Sequence, residues 1–119
     1  MVVCLACLST APAFAHHSFA AYDRTTSRTI TGTVKEYEWA NPHVRLVLVV
    51  TEQGGASRDW SFESGSTSHM ASVGFSRITA GEGETISVTY HPRRSGPGGG
   101  YFIAIEKPNG RTYGPILAR

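Results

Sequence analysis

The sequence is short of several things, and each shortage excludes a class of function. It has only two cysteines, Cys4 and Cys7, both at the extreme N-terminus, and none in the remaining length. A disulfide framework, a zinc–thiolate site or a cysteine nucleophile therefore has nothing to draw on beyond residue 7. No apolar run reaches the roughly 18 residues that a membrane-spanning helix needs. Charge is sparse and nearly balanced: 11 Lys and Arg face 9 Asp and Glu, a net +2. That excess is too small to point to nucleic acid or an anionic membrane. Internal repeats, heptads and nucleophile-elbow motifs are all absent from the sequence, so neither a solenoid nor an α/β-hydrolase is indicated.

What the chain does contain suits one small β domain. Its 119 residues match the size of a single autonomous unit. Hydrophobic residues make up 40%, enough for a packed core, and thirteen Gly with six Pro favour strands joined by turns. The first fifteen residues, Met1 to Ala15, stand apart. An apolar stretch from Val2 to Leu8 leads to Ala13-Phe14-Ala15, which fits the A-x-A rule of signal peptidase. The segment is short and has no Lys or Arg ahead of its apolar part, both departures from a standard export signal. The expectation is a cleaved signal at 1–15, an arm at 16–29 and a β-barrel domain at 30–119, located in the periplasm or outside the cell. Cleavage would remove both cysteines. A lipid-anchored Cys7 is disfavoured, because Cys4 stands where the lipid-attachment box wants leucine.

The pattern downstream reads as three strands, a helix and two strands. Ile30 to Trp39 alternates loosely and is rich in β-branched residues. Asn41-Pro42 ends it, since proline has no amide donor and biases the residue before it away from helix. Val44 to Val50 is apolar on both faces, as a central strand would be. Gln53-Gly54-Gly55 is a turn, and Arg58 to Glu63 alternates with Trp60 and Phe62 on one face. Ser66 to Gly74 is the credible helix, capped by Ser66 or Thr67 and ended by Gly74. Thr85 to His91 is a strand with Ile86, Val88 and Tyr90 inward. Pro92 to Gly100 reads as a mobile, Gly-rich basic loop. Tyr101 to Lys107 is a last long strand, and Asn109-Gly110 turns it toward a short return at Arg111 to Tyr113. This layout predicts an all-β, mainly antiparallel fold. Its form is a five-stranded Greek-key barrel of OB type, with one short helix between strands 3 and 4. An open β-sandwich is the alternative.

Five histidines are the unusual feature: His16, His17, His43, His69 and His91. Cleavage after Ala15 makes His16 the first residue. Its α-amine, with an ordinary pKa of about 7.7–8.0, and its imidazole can then chelate one metal ion. A third nitrogen from a distant histidine completes a T-shaped brace, and nitrogen-rich tetragonal coordination favours Cu(II). Cleavage after Ala13 or Phe14 instead places His16 or His17 third, where amine, amides and imidazole wrap copper in a square plane. The competing reading of the pair is a solvated tail. His43, in the first inter-strand connection, is the best distant ligand, and His17 is a substitute. His69 lies on the helix and His91 stands beside Arg93 and Arg94, which repel a dication.

Other chemistry is thin. Glu36 and Glu38 share a strand face, where solvated carboxylates are commoner than a catalytic pair. Trp39, Trp60 and Phe62 are either core or a stacking platform. Arg93, Arg94 and Arg111 form a modest basic patch suited to an anionic glycan or lipid headgroup more than to nucleic acid. The functional expectation is therefore a binding module rather than an enzyme. Its ligand is a copper-type ion on His16, His17 and His43 or, in the alternative, an envelope protein, glycan or small ligand taken without metal on the Trp60/Arg93 side.

These residues resemble a known family. His16-His17-Ser18-Phe19, Gly32-Thr33-Val34, the run Glu38-Trp39-Ala40-Asn41-Pro42-His43-Val44, and Trp60-Ser61-Phe62-Glu63 with Gly65-Ser66 are similar to the DUF6152 family of small exported bacterial proteins. Gly74-Phe75, Ile78, Gly81 and Ile86-Ser87-Val88 fit more loosely. The resemblance implies export and a small β-barrel, and no reaction. It raises His16, His17 and His43 above the other two histidines. Ser68-His69-Met70 and Phe75 depart from the family's pattern in the helix region, where a Pro-Asn with a leucine pair and a Trp are usual.

The intact mass of the exported protein is expected to correspond to a chain beginning at His16. A mass that retains the residues before Ala13 would remove the chelating terminus.

Overall fold

The computed structural model describes residues 20–116. In order they form β1 (Arg28–Glu38), β2 (Arg45–Thr51), β3 (Ser57–Glu63), a short helix α1 (Thr67–Ser72), β4 (Thr85–Pro92), β5 (Gly99–Glu106) and β6 (Thr112–Tyr113). Hydrogen bonding runs β3-β2-β1-β4-β5-β6, and a parallel β3–β5 pairing joins the two ends of the five main strands. The closed circuit 1-2-3-5-4-1, with α1 between β3 and β4, is the five-stranded OB-type barrel that the order of elements predicts, and not an open sandwich. β6 is a two-residue addition paired to β5 through Ile105↔Tyr113 and Glu106↔Thr112.

β1 serves both halves of the barrel, with β4 along its first part and β2 along its second. It can do so because it bends. Val34 pairs with Leu48 but Glu36 pairs with Val47, so Lys35 is an inserted residue. The bulge switches the inward phase: Gly32 and Val34 are buried before it, and Tyr37 turns inward after it. That switch is the physical reason the alternation in this segment is loose. β2 behaves as a central strand, with Leu46, Leu48 and Val50 buried and Val47 and Val49 half-covered. Ile86, Val88 and Tyr90 of β4 point inward as their spacing predicts.

These side chains meet Val44, Phe62, Phe102 and Ile105 in one core. Helix α1 closes one end of it with fully buried Met70. Ser66 caps the helix, its Oγ accepting from the His69 amide at 3.3 Å, and Asn41 Oδ1 accepts from the Thr67 amide at 3.0 Å. Phe75 is buried against Phe102 and Tyr113, with ring centroids 6.0 and 5.8 Å away. Of the three aromatics left open between core and platform, Phe62 is core, while Trp39 and Trp60 pack partly buried against it.

One expectation is corrected. Pro92 to Gly100 is not a free loop throughout: Pro92 ends β4, and Gly99 and Gly100 begin β5, both buried. The error came from reading glycine as a mark of mobility. Here it marks close backbone approach. A Cβ on Gly99 would lie 1.8 Å from the Ser61 carbonyl oxygen, and one on Gly100 would lie 2.1 Å from that of His91. Gly99 also has φ +147, a region that side chains disfavour. The seam between β3 and β5 is further tied by the Ser61 amide donating to Gly98 O at 3.0 Å, and by buried Ser64 Oγ donating to Phe102 O at 2.9 Å.

Gly100→Ala is therefore expected to destabilise the barrel by about 3 kcal/mol or more. Gly110→Ala, at φ +84 with open space around it, should cost only about 1 kcal/mol. Urea unfolding of the two variants checks the contrast.

Candidate functional site

Two concavities flank the seam and share one residue, Arg93. The first is a groove of about 320 Å³ whose lining includes Glu38, Asn41, His43, Arg45, Glu63 and Arg93. The second is a cavity of about 470 Å³ whose lining includes Asp23, Arg28, Trp60, Tyr90, Arg93 and Arg94. Arg93 reaches across between them, its Nη2 donating to the Ser61 carbonyl at 3.1 Å.

His43 is half-buried in the groove on a connection with little freedom. The Asn41–Pro42 peptide before it is cis. Asn41 is clamped to the start of α1, and the Val44 amide donates to Gly65 O while Val44 O accepts from the Ser64 amide, each at 2.9 Å. His43 Nδ1 lies 2.9 Å from the Ser64 carbonyl. A carbonyl only accepts, so Nδ1 is the donor in this bond and Nε2 is the ring nitrogen left over for another partner. The polar groups around it balance in sign: Glu38 and Glu63 against Arg45 and Arg93, with Arg45 3.9 Å from Glu38.

The described part of the arm, residues 20–27, lies against the end of β4. Tyr22 forms an antiparallel bridge with Arg93, the Arg94 amide donates to Ala21 O, and the Asp23 amide donates to Pro92 O. Tyr22 is 5% exposed, and its hydroxyl donates to Glu63 Oε1. Burial first, then the Glu63 carboxylate, raises the phenol well above its ordinary range. Its ring packs 5.7 Å from that of Tyr101. His91 supports the same docking, with Nδ1 2.8 Å from the Thr26 carbonyl. The arm is thus stapled to the barrel next to the groove that holds His43, and the 16–29 arm gives its last two residues to β1.

His16 and His17 lie outside the described residues. His69 is on α1 with its ring against Gly65, and His91 is committed to the arm. Among the described residues no group of three His, Cys, Asp or Glu side chains is placed to hold a metal. Tyr22, Asp23 and Glu63 were not singled out from the sequence. An aromatic in an otherwise polar arm was a signal for Tyr22. Glu63 stands in the Trp60-Ser61-Phe62-Glu63 stretch of the resemblance, but its part in docking the arm follows only from β3 ending beside Tyr22. Arg28 was missed for a similar reason: its place follows from pairing with Tyr90.

Comparison with known proteins adds the family and nothing finer. A family of unknown function, DUF6152, matches over residues 3–102. No curated protein and no solved structure matches the chain.

The turn that delivers the arm depends on Asp23. Its carboxylate accepts from the Thr25 hydroxyl at 2.6 Å, the Thr26 hydroxyl at 2.9 Å and the Thr25 amide at 3.0 Å. The Thr25 hydroxyl bond contributes most to lowering its pKa from the ordinary 3.8 to about 2. A carboxylate held below its unfolded pKa contributes stability that is complete above 3.8 and lost as pH falls through the lower value. NMR titration of the Thr25 amide should accordingly show a midpoint near 2, with the turn intact at pH 4.

Proposed function

The chain belongs to the DUF6152 family, whose function is unknown, and from that footing we propose that it is an exported binding module. The ligand is a copper-type ion held by the His16 amine and imidazole together with His43, with His17 as a substitute ligand. The observation that carries this reading is the His43 Nδ1–Ser64 carbonyl bond at 2.9 Å. Metal-binding imidazoles are commonly oriented in this way, through a backbone carbonyl on the nitrogen that does not bind metal. Nε2 is then available without further rearrangement.

The arm supplies the second support. Tyr22 is bonded to Glu63, a residue lining the same groove as His43. Five residues lie between His16 and Tyr22, and the six steps from one to the other span at most about 20 Å when extended. A terminus on so short a tether has a raised effective concentration around the point where the arm docks. Export rests on the sequence of residues 1–15, whose small-residue ending would free His16 by cleavage after Ala15. Binding requires the amine to lose its proton, so affinity rises with pH through the amine pKa of about 8.

Calorimetric Cu(II) titration and electron paramagnetic resonance on protein with a verified N-terminus test the reading. His43→Ala is expected to weaken Cu(II) by at least about tenfold. Unchanged affinity in that variant would replace the brace with a square-planar site confined to the terminus. Binding no tighter than that of a generic peptide would overturn both.

A further inference from the structure

We propose that the second cavity, between the arm, the end of β4 and the β4–β5 loop, binds a phosphate monoester carried on a small organic group. The proposal does not rest on the metal reading, because no histidine is among the residues that line this cavity.

The charge in the cavity is unusual for this chain. Its net charge is only +2, yet Arg28, Arg93 and Arg94 line one cavity with Asp23 as their sole acidic neighbour there. Two segments bring them together: Arg28 opens β1 opposite Tyr90, and the consecutive Arg93 and Arg94 follow β4, tied to Tyr22 and Ala21 of the arm. Among the described residues none of these three guanidiniums forms a salt bridge with a carboxylate, whereas Lys35, Arg45, Arg58 and Lys107 each do. Asp23 directs its carboxylate to Thr25 and Thr26. The lining thus carries an excess of two formal positive charges, with Arg94 near enough to Asp23 to help lower its pKa and Arg93 beside the Tyr22 hydroxyl. Guanidinium groups match phosphoryl oxygens in pairs, so a dianionic phosphate fits both the charge and the donor geometry available to arginine.

The remaining walls argue for more than a bare ion. A volume of about 470 Å³ lies in the range of small-molecule sites and far exceeds one phosphate. Trp60 and Tyr90 form an apolar side, their rings 6.1 Å apart and edge-on. Trp60 is steadied from one side by Arg58, 5.6 Å from its ring centroid. Gly96-Pro97-Gly98-Gly99 also lines the cavity and carries no side chain except the proline ring, and Gly96 and Gly98 have φ of +135 and +99. That wall leaves room for a ligand body beside the aromatic side. In an OB-type barrel this is also the end where the β4–β5 loop lies, one of the loops with which such barrels commonly meet ligands.

Glucose 1-phosphate, glucose and inorganic phosphate are the probes, followed by NMR shift mapping and calorimetry on the full mature chain. Glucose 1-phosphate is expected to bind at least fivefold more tightly than either of the others. It should shift Trp60 and the Arg94 amide, and it should weaken as salt rises. Arg28→Ala and Arg94→Ala should each reduce affinity at least fivefold. Arg111→Ala, beside Tyr113 on the β5–β6 hairpin, should leave it unchanged. Arg93 is kept in place because it also holds the Ser61 carbonyl. The assignment is overturned by glucose binding as well as its phosphate, by inorganic phosphate binding as well as the ester, or by equal affinity in the Arg28→Ala/Arg94→Ala double variant with its fold intact.

Discussion

The barrel closes only where β3 and β5 can run parallel in direct backbone contact, and glycine at 99 is what permits it. Antiparallel pairs supply every other junction, two of them with a register shift, at Val34/Glu36 in β1–β2 and at Thr89/Tyr90 in β4–β5. The β3–β5 junction is short, three residue pairs long, and it brings the Ser61 carbonyl to where a side chain at 99 would stand, while on the other side of β5 the His91 carbonyl of β4 stands equally close to Gly100. Arg93 and buried Ser64 add hydrogen bonds on either side of it, to Ser61 O and Phe102 O. Because a closed barrel has no free edge among its five strands, losing this junction would expose two at once.

Both concavities are consequences of that junction. The strands that meet there end there, so their connections and the arm crowd the same rim. Ser64 illustrates the economy of the arrangement. Its hydroxyl ties β3 to β5, while its carbonyl orients the His43 ring. Glu63, the last residue of β3, receives the Tyr22 hydroxyl and so docks the arm. Arg93 lines both the His43 groove and the arginine-rich cavity, which places a candidate metal ligand and a candidate anion site on neighbouring surfaces. A change of occupancy on one side of Arg93 would be felt electrostatically on the other.

Much of the fold was legible because its signals are local. Leu46, Leu48 and Val50 alternate because a buried strand face demands it, and Ser66 with Gly74 brackets a helix through capping chemistry. The Trp-x-Asn-Pro-His segment was legible as a motif but not as a mechanism. Asn41 is there to hold Thr67, 26 residues later, which no local pattern encodes. The loose alternation of β1 hid a bulge at Lys35, and glycines 98–100 looked like slack when two of them are the tightest contacts in the barrel.

By itself the sequence determined the number and order of the strands, the position of the helix, the inward faces of β2 and β4, and His43 as the candidate ligand in the first connection. Those follow from periodicity, turn chemistry and side-chain type, all of which act over a few residues. Only the tertiary structure decided that β3 pairs with β5, that Tyr22 meets Glu63 across 41 residues, and that Arg28 shares one cavity with the distant Arg93–Arg94 pair. Such contacts depend on where closure brings distant backbone together, and closure is a property of the whole set of strands at once.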